Sequence, residues 1–176
     1  MRLIAVISLF AAVSPAAALG DEATTRSPEL KVLSRFVGTW DAESVSKPAA
    51  WTPQELRETS IEVDEWVLDG WFVQGTTKGR GGKANAISMI TYDPMRKEYH
   101  FSHFSTGGFV SQWSGQWDEA NQTFSLRGDA AKGITSTGTV HFIDRDRREF
   151  HLIAKDRDGK VYYDVQGTST RRVDKR

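Results

Sequence analysis

The residues best suited to metal chemistry are His141, Glu149 and His151. The apolar residues around them predict two antiparallel strands in which residue 142 faces residue 148. In that register His141 lies opposite Glu149, and His151 lies diagonal to it on the same face. Two imidazoles and a carboxylate could bind zinc, and one histidine could instead be an axial haem ligand. Most other residues of this face are threonines, which is typical of a solvated strand surface, so both interpretations stay open.

Enzyme motifs are missing from the sequence. The chain has no cysteine, and it lacks the G-x-S-x-G elbow of serine hydrolases. Residues 79–83 are rich in glycine, but a predicted strand follows them, whereas a phosphate-binding loop leads into the N-terminus of a helix. We interpret these residues as a hairpin loop, and an enzyme is the least favoured class of function.

Ten short runs of alternating apolar and polar residues follow Val37 and predict ten strands. Turn residues such as Asp93-Pro94 and Asp158-Gly159 separate them, and connections this short make neighbouring strands antiparallel. A meander of this length must protect its edges, so we expect an all-β fold closed into a barrel. The predicted strands cover residues 39–46, 56–67, 71–77, 84–92, 98–105, 109–117, 123–127, 134–143, 148–155 and 161–170.

A single short helix is predicted in front of the strands. Ser27-Pro28-Glu29 combines an N-cap, a proline at the first helical position and an acidic first turn. Leu30, Leu33 and Val37 form one apolar stripe that the helix must bury against the barrel. Gly38 is the expected end of the helix.

The first twenty residues have the pattern of a signal peptide. Arg2 precedes an apolar core over residues 3–13, and small residues at 16–20 offer a cleavage site. The apolar run is too short to span a membrane, and no second one of membrane length follows. We expect residues 21–26 to be a flexible leader, residues 27–176 to form one domain, and the mature protein to be periplasmic or extracellular.

The first strand indicates that the barrel encloses a lumen. Trp40, Ala42 and Ser44 share a face, and the charged residues between them must point outward. One large and two small inward side chains leave room above the tryptophan, although aromatic residues of other strands could fill it. The candidate lining residues are Trp40, Trp71, His103, Trp113 and Tyr163.

The hairpin around Gly107-Gly108 limits this set. The pairing expected for that turn places Phe104 on the same face as Ser111 and Trp113 and turns His103 to the opposite face. In this register His103 and Trp113 cannot both line the lumen, and Trp113 is favoured.

The last strand predicts a contact at the closed end of the barrel. Alternation gives Arg171 the same face as Gly167 and Ser169. If that face points inward, the guanidinium stacks on Trp40 through a cation–π contact. If the strand frays after Thr168, Arg171 is solvated instead.

This order of elements resembles a known group of proteins. A short helix followed by Gly38-Thr39-Trp40 and many meandering strands resembles the calycins, which include lipocalins, fatty-acid-binding proteins and nitrobindin-like barrels. A wider set of segments resembles a bacterial family of exported proteins of unknown function. The resemblance implies a lipocalin-like barrel and leaves the activity open. The matching segments are residues 36–40, 68–72, 91–93 with Tyr99, 115–118 and 158–160.

We expect the protein to bind a small apolar or amphipathic molecule in the lumen. The alternatives are a filled barrel with a structural or interaction role, and a haem- or zinc-binding barrel; no other cofactor is expected. The 23 basic and 23 acidic residues give a formal net charge of zero, which argues against nucleic acid and anionic membranes as partners. The sequence gives no indication of the oligomeric state.

Overall fold

The computed structural model describes residues 27–79, 81–130 and 133–172, without the side chains of residues 129 and 130. The predicted signal peptide and leader lie outside the described residues. In the described part a short helix precedes ten strands. The helix α1 covers Pro28–Val32 and continues as a 3-10 turn over Leu33–Arg35, and the strands are β1 Gly38–Ser46, β2 Leu56–Val67, β3 Phe72–Lys78, β4 Ala84–Asp93, β5 Glu98–Ser105, β6 Phe109–Asp118, β7 Thr123–Ala130, β8 Ile134–Phe142, β9 Arg147–Lys155 and β10 Val161–Arg171.

The strands form a closed antiparallel barrel. Each strand pairs with the next one in sequence, and β1 pairs with β10. The predicted all-β closed barrel is therefore confirmed, and so is the pairing of Phe142 with Arg148. The strand bounds agree with the prediction to within a residue, except that β7 continues to Ala130.

The helix and its 3-10 turn cover one end of the barrel, called the helix end below. The Ser27 hydroxyl accepts a hydrogen bond from the Leu30 N–H (3.3 Å), as expected for an N-cap. Leu30, Leu33 and Phe36 are buried, whereas Val37 is only half-buried. No helix in the described ranges is long and apolar enough to cross a lipid bilayer.

The barrel interior is filled near the helix end. Phe36 lies just after the 3-10 turn, and its ring packs against aromatic rings of three strands, Phe101 of β5, Phe124 of β7 and Phe142 of β8. Its ring centre lies 5.1 Å from that of Phe142 and 5.5 Å from that of Phe124. The Tyr99 hydroxyl donates a hydrogen bond to the Glu29 carbonyl (3.0 Å), which fastens the helix to the barrel. This end is therefore a packed core.

The interior towards the opposite end stays accessible to solvent, and we call it the open half. Several side chains there point inward by their strand pairing and yet are exposed or only half-buried. A completely filled barrel would bury them, so side chains do not fill this part of the lumen. These residues are Glu58, Ser60, Ser88, His103, Ser111, Trp113 and Tyr163.

The β5–β6 hairpin differs from the expected register. Ser105 pairs with Phe109 across a three-residue loop, so His103 faces Ser111. The N–H of Thr106 bonds to the Asn85 carbonyl of β4 (2.9 Å) and is lost to the hairpin, which lengthens the loop by one residue. The prediction that His103 and Trp113 lie on opposite faces is therefore wrong, because both point into the barrel.

Candidate functional site

Strand β2 places three carboxylates inside the barrel. Glu62 pairs with Trp40 of β1, so Glu58, Glu62 and Asp64 all share the inward face of that strand. Their burial increases towards the helix end. Glu58 is exposed, the Glu62 side chain is 24% exposed, and Asp64 is 3% exposed. A buried carboxylate needs a compensating partner.

Arg148 of β9 supplies that partner from across the lumen. Its Nη1 lies 3.3 Å from Asp64 Oδ2, and its Nη2 donates to Glu62 Oε2. The Arg148 side chain is only 6% exposed. One guanidinium therefore holds both carboxylates, in the forked geometry that arginine favours.

Trp40 lies beneath this ion-pair group and contacts two guanidinium groups. Its ring centre is 4.3 Å from Cζ of Arg148 and 4.1 Å from Cζ of Arg171. Arg171 also donates to the carbonyls of Val37 and Arg35. The indole N–H donates to the Phe36 carbonyl (2.6 Å). Trp40 is completely buried, so it forms the floor of the site and does not touch solvent.

Asp64 is the most unusual group of the interior. Burial and the nearby negative charge of Glu62 raise the pKa of Asp64 to about 8, although Arg148 acts in the opposite direction. Asp64 and Glu62 therefore titrate as a coupled pair, which holds a proton to a higher pH than an isolated carboxyl group does. Asp64 Oδ2 lies near the Arg148 guanidinium, and the other interaction of the Asp64 carboxyl group is a hydrogen bond with Glu62.

Gly75 of β3 makes room for this carboxyl group. A Cβ atom on residue 75 would collide with Asp64 Oδ1 and Ser88 Oγ, and it would lie 3.4 Å from Glu62 Oε1. Three oxygen atoms thus crowd the lumen wall beside Gly75 and leave no room for a side chain at residue 75. We call Asp64, Glu62 and Ser88 the oxygen cluster.

His103 and Tyr163 line the open half above the oxygen cluster. Desolvation by the barrel wall lowers the pKa of His103, against the opposing effect of Glu62. Desolvation together with the charge of Glu58 raises the pKa of Tyr163 to about 12. Both side chains are therefore neutral at pH 7 and can donate or accept hydrogen bonds.

The two remaining predicted lining residues, Trp113 and Trp71, lie in different parts of the structure. Trp113 points inward and is half-buried, and its ring rests against Gly128, where a Cβ would lie 3.0 Å from Trp113 Cδ2. Trp71 does not line the open half. It is 40% exposed in the turn that precedes β3 at the helix end. The chain adopts positive φ at Leu68 and Asp69 there, and the strand alternation starts only after the turn.

The proposed metal ligands lie on the outer wall of the barrel. His141 faces Glu149 as predicted, and their Nδ1 and Oε1 atoms are 3.0 Å apart. His151, however, approaches Asp164 of β10, with 2.8 Å between Nε2 and Oδ1. Each histidine therefore has its own carboxylate. The described part of the chain contains no group of three or more His, Cys, Asp or Glu residues that could hold a metal ion.

Sequence reasoning missed the oxygen cluster and its arginine. A usable signal was Arg148, because its predicted pairing with Phe142 places it on the same inward face. An inward arginine requires an acidic partner, and Glu58, Glu62 and Asp64 of β2 share one face of that strand. That combination points to Glu62 and Asp64.

A protein family described as a protein of unknown function (DUF1579) matches residues 25–171. The chain belongs to this family. This agrees with the resemblance to a family of unknown function that the sequence segments indicated. No curated protein is detectably similar in sequence.

Solved structures share the fold at low sequence identity. Rv2717c from M. tuberculosis superimposes with a TM-score of 0.60 and 15% identity, over 85% of this chain and 100% of that protein. The S-type phycobiliprotein lyase CPES from Guillardia theta gives a TM-score of 0.57 and 17% identity, over 85% and 96% of the two chains. A DUF3598 protein from Nostoc punctiforme gives 0.51 and 9%, over 80% of this chain and 48% of that one. These similarities show a common fold.

Proposed function

We propose that this family member binds a small amphipathic molecule in the open half of its barrel. The observation that carries the proposal is the solvent access of inward-facing side chains there, above a packed floor. Trp113 and Tyr163 offer aromatic surface, while His103 and Ser88 offer hydrogen bonds. This mixture of aromatic and polar side chains suits an amphipathic ligand, because the polar groups of a small-molecule site fix the orientation of the ligand.

We further propose that the protein works outside the cytoplasm. The supporting evidence is the sequence of residues 1–20, with its basic start, apolar core and small residues before Asp21. Edman sequencing or intact-mass measurement of protein purified from a bacterial periplasm tests this directly. A mature chain starting near Asp21 supports export, and retention of Met1–Gly20 on cytoplasmic protein refutes it.

Lumen binding is tested with Prodan, a neutral amphipathic dye whose emission shifts to the blue in apolar surroundings. Ser111 points inward and its neighbour Gln112 points outward on the same exposed stretch of β6. Ser111→Trp should fill the lumen and weaken dye binding about tenfold or more, since an indole removes the space for the dye. Gln112→Trp is the matched control and should bind like the unmodified protein.

Two results would overturn the lumen proposal. One is the absence of a saturable emission change with the unmodified, folded protein. The other is an equal loss or equal retention of binding in the Ser111→Trp and Gln112→Trp variants, because a site inside the barrel must distinguish the two faces of β6.

A further inference from the structure

The β5–β6 hairpin lacks the charges that cover other parts of the outer wall. Residues 99–117 contain no Asp, Glu, Lys or Arg, and neither do residues 84–92 of the adjacent strand β4. The outer face of β9, in contrast, carries Arg147, Glu149 and Lys155. An exposed apolar surface bordered by polar residues marks a site of interaction with another molecule or with a membrane.

The tip of this hairpin exposes apolar side chains on both of its faces. Phe109 is 75% exposed and shares the inward face with Ser105, its partner across the loop. Val110 is 60% exposed and shares the outward face with Phe104 and with Ile87 of β4, which are also exposed. A flat protein surface can cover only one of these faces, whereas a medium that surrounds the tip covers both.

The size of this surface separates two kinds of partner. Phe109, Val110, Phe104 and Ile87 together expose roughly 400 Å² of apolar surface, taking about 200 Å² for a whole phenylalanine side chain. Each partner of a stable dimer buries about 800 Å². The surface is too small for a second copy of the chain, but a membrane interface is bound through a few inserted apolar side chains when basic residues nearby attract anionic lipid.

Basic residues lie beside the tip, at the end of the barrel away from the helix, which we call the open rim. Residues 78–83, between β3 and β4, contain three basic residues and no acidic one. The Thr106 N–H donates to the Asn85 carbonyl (2.9 Å), which holds this connection next to the β5–β6 loop. Lys83 is exposed, and neither Lys78 nor Lys83 has an ion-pair partner in the described ranges. The net charge of zero describes the whole chain, whereas attraction to a surface depends on the charges next to the contact.

A second group of aromatic and basic side chains lies elsewhere on the open rim. The exposed ring of Trp51, in the loop between β1 and β2, has its centre 5.6 Å from that of Tyr162. Lys160 Nζ lies 5.2 Å from the centre of the same tyrosine ring. Tryptophan and tyrosine favour the interface between membrane and water, and lysine beside them reaches the headgroups. The open rim therefore has two points at which a bilayer can hold it.

We propose that the open rim docks on an anionic membrane surface, with the tip of the β5–β6 hairpin inserted among the lipids and the lysines of residues 78–83 at the headgroups. Docking in this orientation places the opening of the barrel against the bilayer. The proposal goes beyond lumen binding and does not depend on it.

The test uses a fluorophore at a single position. The chain has no cysteine, so one introduced cysteine carries one NBD group, whose emission rises and shifts to the blue when it leaves water. Val110→Cys places the label at the tip, and Met95→Cys is the matched control, because Met95 is an exposed apolar residue in the turn between β4 and β5 at the helix end. With POPC vesicles that contain about 30% POPG, the label at residue 110 should shift to the blue and be quenched by lipids with brominated acyl chains. The label at residue 95 should do neither, and this local readout does not report membrane binding by residues 1–20.

Variants of the Val110→Cys protein assign the contribution of each group. Phe109→Ser should raise the vesicle concentration needed for half of the emission change about tenfold, because an inserted phenylalanine contributes that much to binding. Lys83→Glu should raise it about fivefold or more, the effect of one basic residue near an anionic surface. Arg145→Glu is the control for charge, since the Arg145 side chain is exposed at the helix end, and it should have no effect. Added salt should weaken binding of the unmodified sequence.

Several results would overturn the docking proposal. They are a folded protein whose label at residue 110 does not respond to the vesicles, equal responses at residues 110 and 95, and an equal response to vesicles of POPC alone. A dimer that forms without lipid and that Phe109→Ser dissociates also overturns it, because a second copy then covers the tip. If Val110→Cys does not fold, Thr106→Cys carries the label, since Thr106 is exposed in the same loop. None of these results affects lumen binding, whose test contains no lipid.

Discussion

Replacing Arg148 by methionine should be among the most damaging single changes in the barrel wall. The variant leaves Glu62 and Asp64 inside the barrel without the guanidinium that both contact. Removing one partner of a buried ion pair costs about 3–5 kcal/mol, because the remaining charge is left uncompensated. The cation–π contacts to Trp40 and Phe36, at 4.3 and 5.2 Å, are lost as well. Methionine retains most of the side-chain volume, so the loss is electrostatic and not a cavity effect.

The neighbouring residue is the natural control. Arg147 bonds to Asp144 on the surface, with side-chain exposures of 59% and 45%, and an exposed pair contributes about 0–1 kcal/mol. Urea unfolding of Arg148→Met and Arg147→Met, followed by tryptophan fluorescence, measures the difference. Because about 1 kcal/mol moves the melting temperature of a domain of this size by about 2–4 °C, calorimetry should separate the two variants clearly.

A double variant checks the cause of the loss. Adding Glu62→Gln to Arg148→Met removes the remaining ionised carboxylate and should restore at least half of the lost stability, since a protonated Asp64 beside an amide is uncharged. The reasoning is refuted if Arg148→Met is no less stable than Arg147→Met, or if Glu62→Gln makes Arg148→Met worse.

Two further predictions concern the floor of the site. Gly38→Ala should lower the free energy of unfolding by about 2–4 kcal/mol, because the new Cβ collides with the Arg171 guanidinium and residue 38 has φ +138°. Gly159→Ala is the control, since residue 159 lies in an open turn at φ +81° with no atom within 4 Å of a new Cβ. It should lower the free energy of unfolding by about 1 kcal/mol in the same urea titration. The unfolding free energy of the unmodified protein should fall as pH rises from about 5 towards 8, because the raised pKa of Asp64 lets the folded state bind a proton that the unfolded state has lost. Asp64→Asn should flatten that fall, whereas Glu65→Gln should leave it in place; equal slopes for both variants would contradict the assignment.

The alternation of apolar and polar residues predicted most of the fold, but it did not predict the polar groups inside the barrel. Turn residues and alternation placed the strands because those signals are local. On β2 the same rule favours Ile61 and Val63 as the inward residues, yet the structure turns Glu62 and Asp64 inward. The compensation comes from Arg148, 84 residues away from Asp64 in the chain. The local alternation that predicts the buried face of a strand does not show a long-range ion pair of this kind.

The connection between β1 and β2 explains why the register of these two strands could not be predicted from the sequence. Residues 47–55 form a long loop, and register is set by turn geometry only in short hairpins. The cation–π contact of Arg171 with Trp40 was easier to anticipate, because both strands meet at the point where the barrel closes. The hypothesis of a metal site at His141, Glu149 and His151 used the correct register of β8 and β9. It did not include Asp164 of β10, which pairs with His151 and separates it from the other two residues.

The length of the loop between β5 and β6 has a consequence for relatives of this chain. Three residues separate Ser105 from Phe109, and this number alone decides that Trp113 shares the inner wall with His103. A homologue with one residue fewer at this turn would present the alternate side chains of its sixth strand to the interior, even if every strand residue were identical. The set of side chains that lines such a barrel can therefore change through a single deletion at the rim, without any substitution in the strands.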